Sequence, residues 1–196
     1  MRSRQFLLMF VLLVCGALWC SSSGTAEEIP YDAELVKSLV AESRQKGNPG
    51  RGAVIYSAPT SACLSCHKVG DHGGAVGPDL SEVGKKQKLD HIVESLFWPQ
   101  RVVVDEYKAI AVLNLDGQVF RGYQVSESDS NLMIRDSATG KTISINQEDI
   151  EAVRPVGSLM PVGLLATLSL QDKHDLISFL ADLGKHEKLS SAGIDA

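Results

Sequence analysis

The sequence predicts a mainly helical α+β protein in which a small antiparallel β meander or partial barrel is inserted between helices. Apolar residues recur at helical spacing on both sides of a central stretch of about 50 residues. Within that stretch apolar and polar residues alternate, and turn residues separate the alternating runs. Helices that flank one small sheet are therefore the expected architecture.

Four segments carry the helical pattern, at residues 33–45, 51–56, 89–97 and about 169–183. Pro99 ends the third segment, because proline cannot continue a helix. Ser169 is followed three positions later by Asp172, a spacing that resembles an N-terminal capping box. The fourth helix is therefore predicted to begin near Ser169.

The β insertion is predicted over about residues 105–154. Strand-like alternation begins near Tyr107, and Asp116-Gly117 is a strong signal for a hairpin turn. A second turn at residues 138–140 separates two further strands, and residues 150–153 are expected to add a last short strand or turn. Arg154-Pro155 is expected to end the sheet.

Residues 1–26 have the pattern of a cleavable secretory signal peptide. A basic start precedes an apolar run, and Gly24 and Ala26 are the small residues that define a cleavage site. The apolar run is short for a membrane span, so none is expected after cleavage, although an uncleaved anchor is the alternative. Residues 27–46 are then a leader with the first helix, 47–184 the main domain and 185–196 a flexible tail. The mature protein is expected to be exported, to the periplasm of a bacterium or beyond.

Charge argues against one class of partner. The chain has 19 Lys and Arg residues, 24 Asp and Glu residues and a formal net charge of −5. Removal of residues 1–26 takes away Arg2 and Arg4 and no acidic residue, which makes the net charge −7. No long basic run is present, so nucleic-acid binding is not expected.

The most informative motif is a CxxCH sequence formed by Cys63, Cys66 and His67. Two thiols three positions apart, with a histidine directly after the second, are what covalent attachment of a c-type haem (heme c) requires. The thiols bond to the two vinyl groups of the porphyrin, and the histidine can bind the iron. The motif therefore predicts one covalent haem.

Three other interpretations of the motif stay open at this point. A structural zinc site would use the same thiolates but needs four ligands, commonly in two pairs. A redox-active CxxC belongs to a βαβ unit, and no such pattern surrounds Cys63. A structural disulfide would leave His67 without a role. Because Cys15 and Cys20 lie in the predicted signal, the mature chain has no second cysteine pair.

An electron-transfer haem takes a second axial ligand, and a thioether ligand raises the reduction potential. After residue 26 the methionines are Met133 and Met160. Met133 lies in a predicted strand, where ordinary packing is its simplest role. Met160 lies in a loop stiffened by Pro161, although filling a gap in the core is the common role of methionine. Met160 is the preferred ligand.

The rival imidazoles belong to His72, His91, His174 and His186. His72 follows the motif so closely in the chain that it could reach the iron only with difficulty. The other three are predicted at solvated positions of helices or of the tail.

His67 also needs a partner for its second ring nitrogen. An iron-bound histidine usually donates that proton to a carbonyl or a carboxylate, which fixes the orientation of the ring. The carbonyl of Pro78, in the segment Gly77-Pro78-Asp79-Leu80, is the predicted acceptor. An ordinary turn before a helix is the alternative interpretation of this segment.

These motifs, in this order and with a closing amphipathic helix, resemble a class I c-type cytochrome. Residues 158–165 (Ser-Leu-Met-Pro-Val-Gly-Leu-Leu) are similar to the corresponding segment of the planctomycete- and verrucomicrobium-type haem-binding domain, a variant with a β-sheet insertion. The likeness covers roughly residues 47–184. The inserted sheet lengthens the gap between His67 and Met160 well beyond the usual class I spacing.

The resemblance implies a cytochrome c fold and a set of residue roles. Cys63 and Cys66 would hold the haem, His67 would be the proximal iron ligand and Met160 the distal ligand, with the carbonyl of Pro78 orienting the histidine. The resemblance also implies a close crossing of two helices. The residues at that crossing would be Gly52 and Tyr56 on one helix and Phe179 and Leu180 on the other.

The expected function is electron transfer by an exported monohaem c-type protein. With His67 and Met160 both bound, no iron position is open to substrate, so the protein would carry single electrons between redox partners such as membrane or periplasmic oxidoreductases. The enzymatic alternative is a peroxidase or gas-reactive haem with an open distal site. A haem-free interaction module is a third possibility.

Overall fold

The computed structural model describes residues 30–185. The predicted signal peptide and all but the first residue of the predicted tail lie outside the described residues, as does His186. The described helices are α1 (Ala33–Lys46), α2 (Pro49–Ser57), α3 (Cys63–Cys66), α4 (Val83–Lys86), α5 (Leu89–Phe97) and α6 (Leu170–Asp182). The described strands are β1 (Ala109–Asn114), β2 (Val119–Glu127), β3 (Asn131–Asp136), β4 (Thr142–Asn146) and β5 (Ile150–Gly157).

Three helices, α1, α2 and α6, begin at residues whose side chains cap them. The Asp32 carboxylate accepts a hydrogen bond of 2.8 Å from the backbone N–H of Glu34, which starts α1. The Asn48 side chain caps α2 in the same way. Ser169 and Asp172 form a reciprocal capping box at the start of α6, so the predicted start of this helix is confirmed.

Helix α6 lies at the centre of the helical part and packs against α1, α2, α4 and α5. Its closest neighbour is α2, where a methyl group on Gly52 would lie 2.6 Å from Cβ of Phe179. The rings of Tyr56 and Phe179 pack with their centroids 5.4 Å apart. The helix crossing that the resemblance implied is therefore present. The buried members of this core are Ala53, Tyr56, Cys63, Val69, Ile92, Leu165, Leu176, Phe179, Leu180 and Leu183.

A buried ion pair fixes α6 to the start of α2. The Asp175 side chain is only 1% exposed and accepts hydrogen bonds from Nε of Arg51 at 2.7 Å and from the backbone N–H of Asn48 at 2.8 Å. Because the Arg51 guanidinium stabilises the charged carboxylate, the pKa of Asp175 lies below its ordinary value.

The five strands form one antiparallel sheet with the order β4-β3-β2-β1-β5. The first four strands make the predicted meander, and Gly117, with φ of 78°, turns the hairpin between β1 and β2 as predicted. Strand β5 then returns to pair with β1, opposite the β2 side. The sheet buries a separate apolar core, whose members are Val112, Leu132, Ile134 and Ile145.

The predicted fold class is wrong. The described chain is an α+β structure of six helices and a five-stranded antiparallel sheet, and it is not a mainly helical cytochrome c fold. The alternating stretch, predicted as a small insertion into a helical protein, forms a sheet of five strands. The sheet instead packs apolar side chains of its own strands against one another and so has a core separate from that of the helices.

The predicted end of the sheet is also wrong. Strand β5 does not stop at Arg154-Pro155 but continues to Gly157. β5 pairs only with β1 among the described strands, so it is an edge strand. Proline is tolerated on an edge because no neighbouring strand needs its missing N–H.

No helix within residues 30–185 is long and apolar enough to cross a membrane.

Candidate functional site

The CxxCH motif forms a single helical turn, α3, that starts from a strained residue. Ala62 has φ of 55°, the left-handed region that residues with a side chain rarely adopt, and it lies directly before Cys63. The backbone N–H of His67 closes the turn with a bond of 2.9 Å to the Cys63 carbonyl. Residues three positions apart in a helix lie on one side of it, so the turn presents Cys63 and Cys66 together.

The two thiols have different surroundings. Cys63 is buried among the side chains of the helical core, whereas Cys66 is partly exposed, and neither forms a disulfide. Burial raises the pKa of the Cys63 thiol. A reactive redox cysteine has a lowered pKa, so this environment disfavours the interpretation as a redox-active CxxC.

The ring of His67 is held by the loop that follows the motif. Its Nδ1 lies 2.9 Å from the carbonyl oxygen of Pro78, the acceptor that the sequence analysis predicts. A methyl group on Gly77 would lie 2.6 Å from Nδ1 and 3.0 Å from Nε2 of the ring, so only glycine allows the loop to pass this close. Backbone bonds from Gly77 to Cys66, at 2.8 Å, and from Gly74 to Leu64, at 2.9 Å, hold the loop in place.

The protonation of His67 follows from these contacts. Burial lowers the pKa of His67, so the neutral ring predominates at pH 7. A proton on Nδ1 can be donated to Pro78, and Nε2 then keeps its lone pair. The unprotonated nitrogen is the atom that can bind a metal.

Tyr56, which was predicted only at the helix crossing and not at the site, holds the backbone of the motif through a hydrogen bond. The phenol of Tyr56 donates a hydrogen bond of 2.9 Å to the carbonyl of His67. Tyr56 is fully buried, and this burial raises the pKa of its phenol. Tyr56 therefore joins the α2–α6 crossing to the His67 end of the motif.

Met160 lies in the irregular segment between β5 and α6 and is half-buried. Its backbone N–H donates a bond of 3.1 Å to Oγ of Ser158. Leu165, five residues further along, packs in the same core as Cys63, but Met160 is not part of that core. The structure therefore brings Cys63, Cys66, His67 and Pro78 together through direct contacts, whereas Met160 lies in the loop that leads to Leu165.

The rival ligands occupy other parts of the fold. Met133 is in β3 and is 36% exposed. His72 is exposed in a tight turn with Val69, and His91 is on α5. The prediction that His174 is solvated is wrong, because this ring is buried between α1 and α6 with Nδ1 3.0 Å from Oγ of Ser43. Helix α6 is enclosed by four neighbouring helices, so it buries polar as well as apolar positions.

The sheet contacts the loop that holds His67. Arg135 on β3 donates a hydrogen bond of 3.2 Å to the carbonyl of Ala75, and its guanidinium lies 5.0 Å from the ring centroid of Tyr123. Tyr107 packs edge-on against Tyr123 at 5.5 Å. These contacts join residues far apart in the chain, and no local sequence signal could have identified them.

The arrangement as a whole can be compared with the ligand sets of known cofactors. No group of three or more His, Cys, Asp and Glu side chains within residues 30–185 is placed to hold a metal ion. A structural zinc ion needs four such ligands. Two thiols on one helical turn, followed by an imidazole with a fixed Nδ1 and a glycine against its face, instead fit a covalently attached haem.

Comparison with known proteins adds no family assignment, since no protein-family model matches the chain and no curated protein matches it.

Proposed function

We propose that this chain carries one c-type haem, bonded to Cys63 and Cys66, and transfers single electrons between redox proteins. The observation that carries the proposal is the contact between Nδ1 of His67 and the Pro78 carbonyl. That contact fixes the ring in the tautomer whose Nε2 can bind iron. A bound c-type haem supplies a one-electron redox centre.

Each cysteine contributes a different part of the attachment. The Cys63 thiol belongs to the helical core that also contains Leu165 and residues of the α2–α6 crossing. The Cys66 thiol lies at the more exposed end of the turn. One edge of the cofactor would thus be anchored in the core while the other lies nearer the surface, where an electron can pass to a partner.

Met160 is the proposed sixth ligand. It lies in an irregular loop, which can adjust its sulfur to a flat ring, and its neighbours Leu159, Val162 and Leu164 are apolar. An apolar surrounding with a thioether ligand supports electron transfer at a raised potential. It also lacks the polar distal group that peroxide chemistry usually needs.

A peroxidase or gas-reactive protein is the second candidate function. The observation in its favour is that Met160 is only half-buried and is not part of the core that contains Cys63. If the thioether does not bind, the iron keeps an open position. The absorption spectrum of the oxidised protein distinguishes the two candidates, because a thioether-bound iron is low-spin and an open site is high-spin.

The partners and location follow from the leader and the charge. The signal peptide pattern supports export, and the mature net charge of −7 supports partners with a basic docking face. We propose that these partners are periplasmic or membrane-bound oxidoreductases.

The test is intact-mass measurement of the full chain exported from a host that attaches c-type haem. The proposal expects one covalent haem per chain. The C63A and C66A variants should each lose a thioether bond, whereas the matched variant S65A, between the two cysteines, should keep the haem. A colourless wild-type protein with both thiols free would overturn the proposal.

A further inference from the structure

The segment that leads to Met160 is held by the side chain of Gln100, which precedes the sheet in the chain. Nε2 of Gln100 donates a hydrogen bond of 2.9 Å to the carbonyl of Ser158. The backbone N–H of Ser158 donates a bond of 2.9 Å back to Oε1 of Gln100. One amide side chain thus satisfies both backbone groups of a residue 58 positions away, as a neighbouring strand would.

Gln100 is held in position for this contact by the buried residues that precede it. It follows Trp98 and Pro99, both buried, at the end of α5. Trp98 packs in the core between α1 and α5, together with Ile177 of α6. The amide of Gln100 is therefore presented by the helical part of the molecule.

The contact between Gln100 and Ser158 requires a glycine at position 157. Its φ of 82° is in the left-handed region, and a methyl group there would lie 2.6 Å from Oε1 of Gln100. Any residue with a side chain would thus both strain the backbone and displace the Gln100 amide. The turn at Gly157 directs the chain out of β5 and into the Gln100 contact.

A single hydrogen bond connects Ser158 to the backbone of Met160. Oγ of Ser158 accepts the bond of 3.1 Å from the backbone N–H of Met160. The hydrogen bonds from Gln100 to Ser158 and from Met160 to Ser158 therefore fix the Met160 backbone relative to α5.

We propose that Gln100 is a positioning residue that holds Met160 in place for iron binding. This inference rests on the proposed function, because it concerns the sixth ligand of the same haem. An external ligand such as imidazole must displace Met160 to bind the iron. If the segment is loosened, Met160 is unbound from the iron for a larger fraction of the time. The apparent affinity for imidazole rises in proportion to that unbound fraction.

The experiment compares two variants and a control in the exported, haem-bearing full chain. Q100A removes both bonds to Ser158, whereas Q100E keeps the acceptor and loses the donor. Q124A is the control, because the Gln124 amide is exposed on β2 and bonds to Glu127 on the same strand. The measurements are imidazole affinity of the oxidised protein and hydrogen exchange of the Ser158 amide.

Q100A should bind imidazole about fivefold more tightly than the wild type, because the two solvent-exposed bonds that it loses together contribute about as much as one ordinary hydrogen bond. Its Ser158 amide should exchange faster by a similar factor. Q100E should lie between the wild type and Q100A in imidazole affinity, and Q124A should match the wild type in both measurements. The exchange measurement reports the restraint itself and does not depend on electron transfer.

Two results would overturn the inference, and they differ in what else they affect. If the wild type carries haem with Met160 bound, and Q100A leaves imidazole affinity and Ser158 exchange unchanged, only the role of Gln100 is wrong. If the wild type lacks haem, or imidazole binds equally well to the wild type and M160A, the proposed ligation and this inference are both wrong.

Discussion

The Pro78 carbonyl oxygen lies 2.9 Å from Nδ1 of His67, and Gly77 passes directly against the face of the same ring. Two consecutive loop residues therefore set both the tautomer and the rotation of one imidazole. The histidine follows the last helical residue of α3 and has no helix of its own to orient it. The loop supplies the missing restraint.

G77A should disturb iron ligation without preventing haem attachment. The added methyl group would meet the His67 ring and force it away from the Pro78 carbonyl. Loss of such a partner typically weakens metal binding by about tenfold or more. We expect a larger high-spin fraction in the absorption spectrum, with unchanged intact mass. G50A is the matched control, because its methyl group meets no atom closer than 3.3 Å. A spectrum for G77A identical to that of the wild type would show that the loop does not orient His67.

M160A and M133A should separate the two candidate thioethers. Removal of the Met160 sulfur should give a high-spin oxidised spectrum and a lower reduction potential. Removal of the Met133 sulfur should change neither, because Met133 lies in β3 and is 36% exposed. Absorption spectroscopy and a redox titration of both variants check this. The reverse pattern would transfer the ligand role to Met133.

D175N should destabilise the protein at neutral pH by about 2 kcal/mol. The figure is moderate because the Arg51 side chain is 59% exposed and its bond to Asp175 is screened by water. Chemical denaturation at pH 7 measures the change in the free energy of unfolding. D129N, in an exposed loop, should leave that free energy unchanged.

The same pair gives the wild type a defined acid response. The pKa of Asp175 is lower in the folded protein than in the unfolded chain, where it is about 3.9. The stability that the ionised carboxylate contributes is therefore fully present above about pH 4 and is lost as pH falls through the folded pKa. The difference between the wild type and D175N should shrink over that acid range. A constant difference from pH 7 to the acid limit of folding would contradict the role of the ion pair.

A62G should stabilise the protein, because the left-handed backbone at residue 62 costs a residue with a side chain about 1 kcal/mol. The greater freedom of glycine in the unfolded chain offsets part of that gain. A62V should be less stable than the wild type, since branching at Cβ increases the strain. Thermal unfolding of the three proteins should give the order A62G, wild type, A62V from most to least stable. A62G below the wild type would contradict this prediction, because the relief of strain at residue 62 would then be smaller than the cost of glycine's freedom in the unfolded chain.

Features of the fold that are decided within a few residues could be predicted from the sequence. The range 89–97 coincides with α5, the Ser169 capping box starts α6, and the turn at Gly117 joins two strands. Apolar periodicity, capping side chains and turn residues act locally, so the sequence displays them directly.

Features that depend on contacts between distant segments of the chain could not be predicted from the sequence. The extent of β5 depends on its place at the edge of the sheet, and the burial of His174 depends on helices that enclose α6 from several sides. Gln100 and Arg135 look like ordinary surface residues in the sequence, yet their partners lie 58 and 60 positions away. The sheet forms a substantial part of the fold because it has a separate apolar core, and that core is assembled from side chains of different strands.

The contact between Gln100 and Ser158 also brings together the two points at which the chain leaves and re-enters the helical part. The segment from residue 101 to residue 157, which contains the whole sheet, therefore begins and ends at neighbouring points of the structure. A short glycine linker could join these ends, and the sheet could be exchanged or removed by protein engineering without pulling the helices apart.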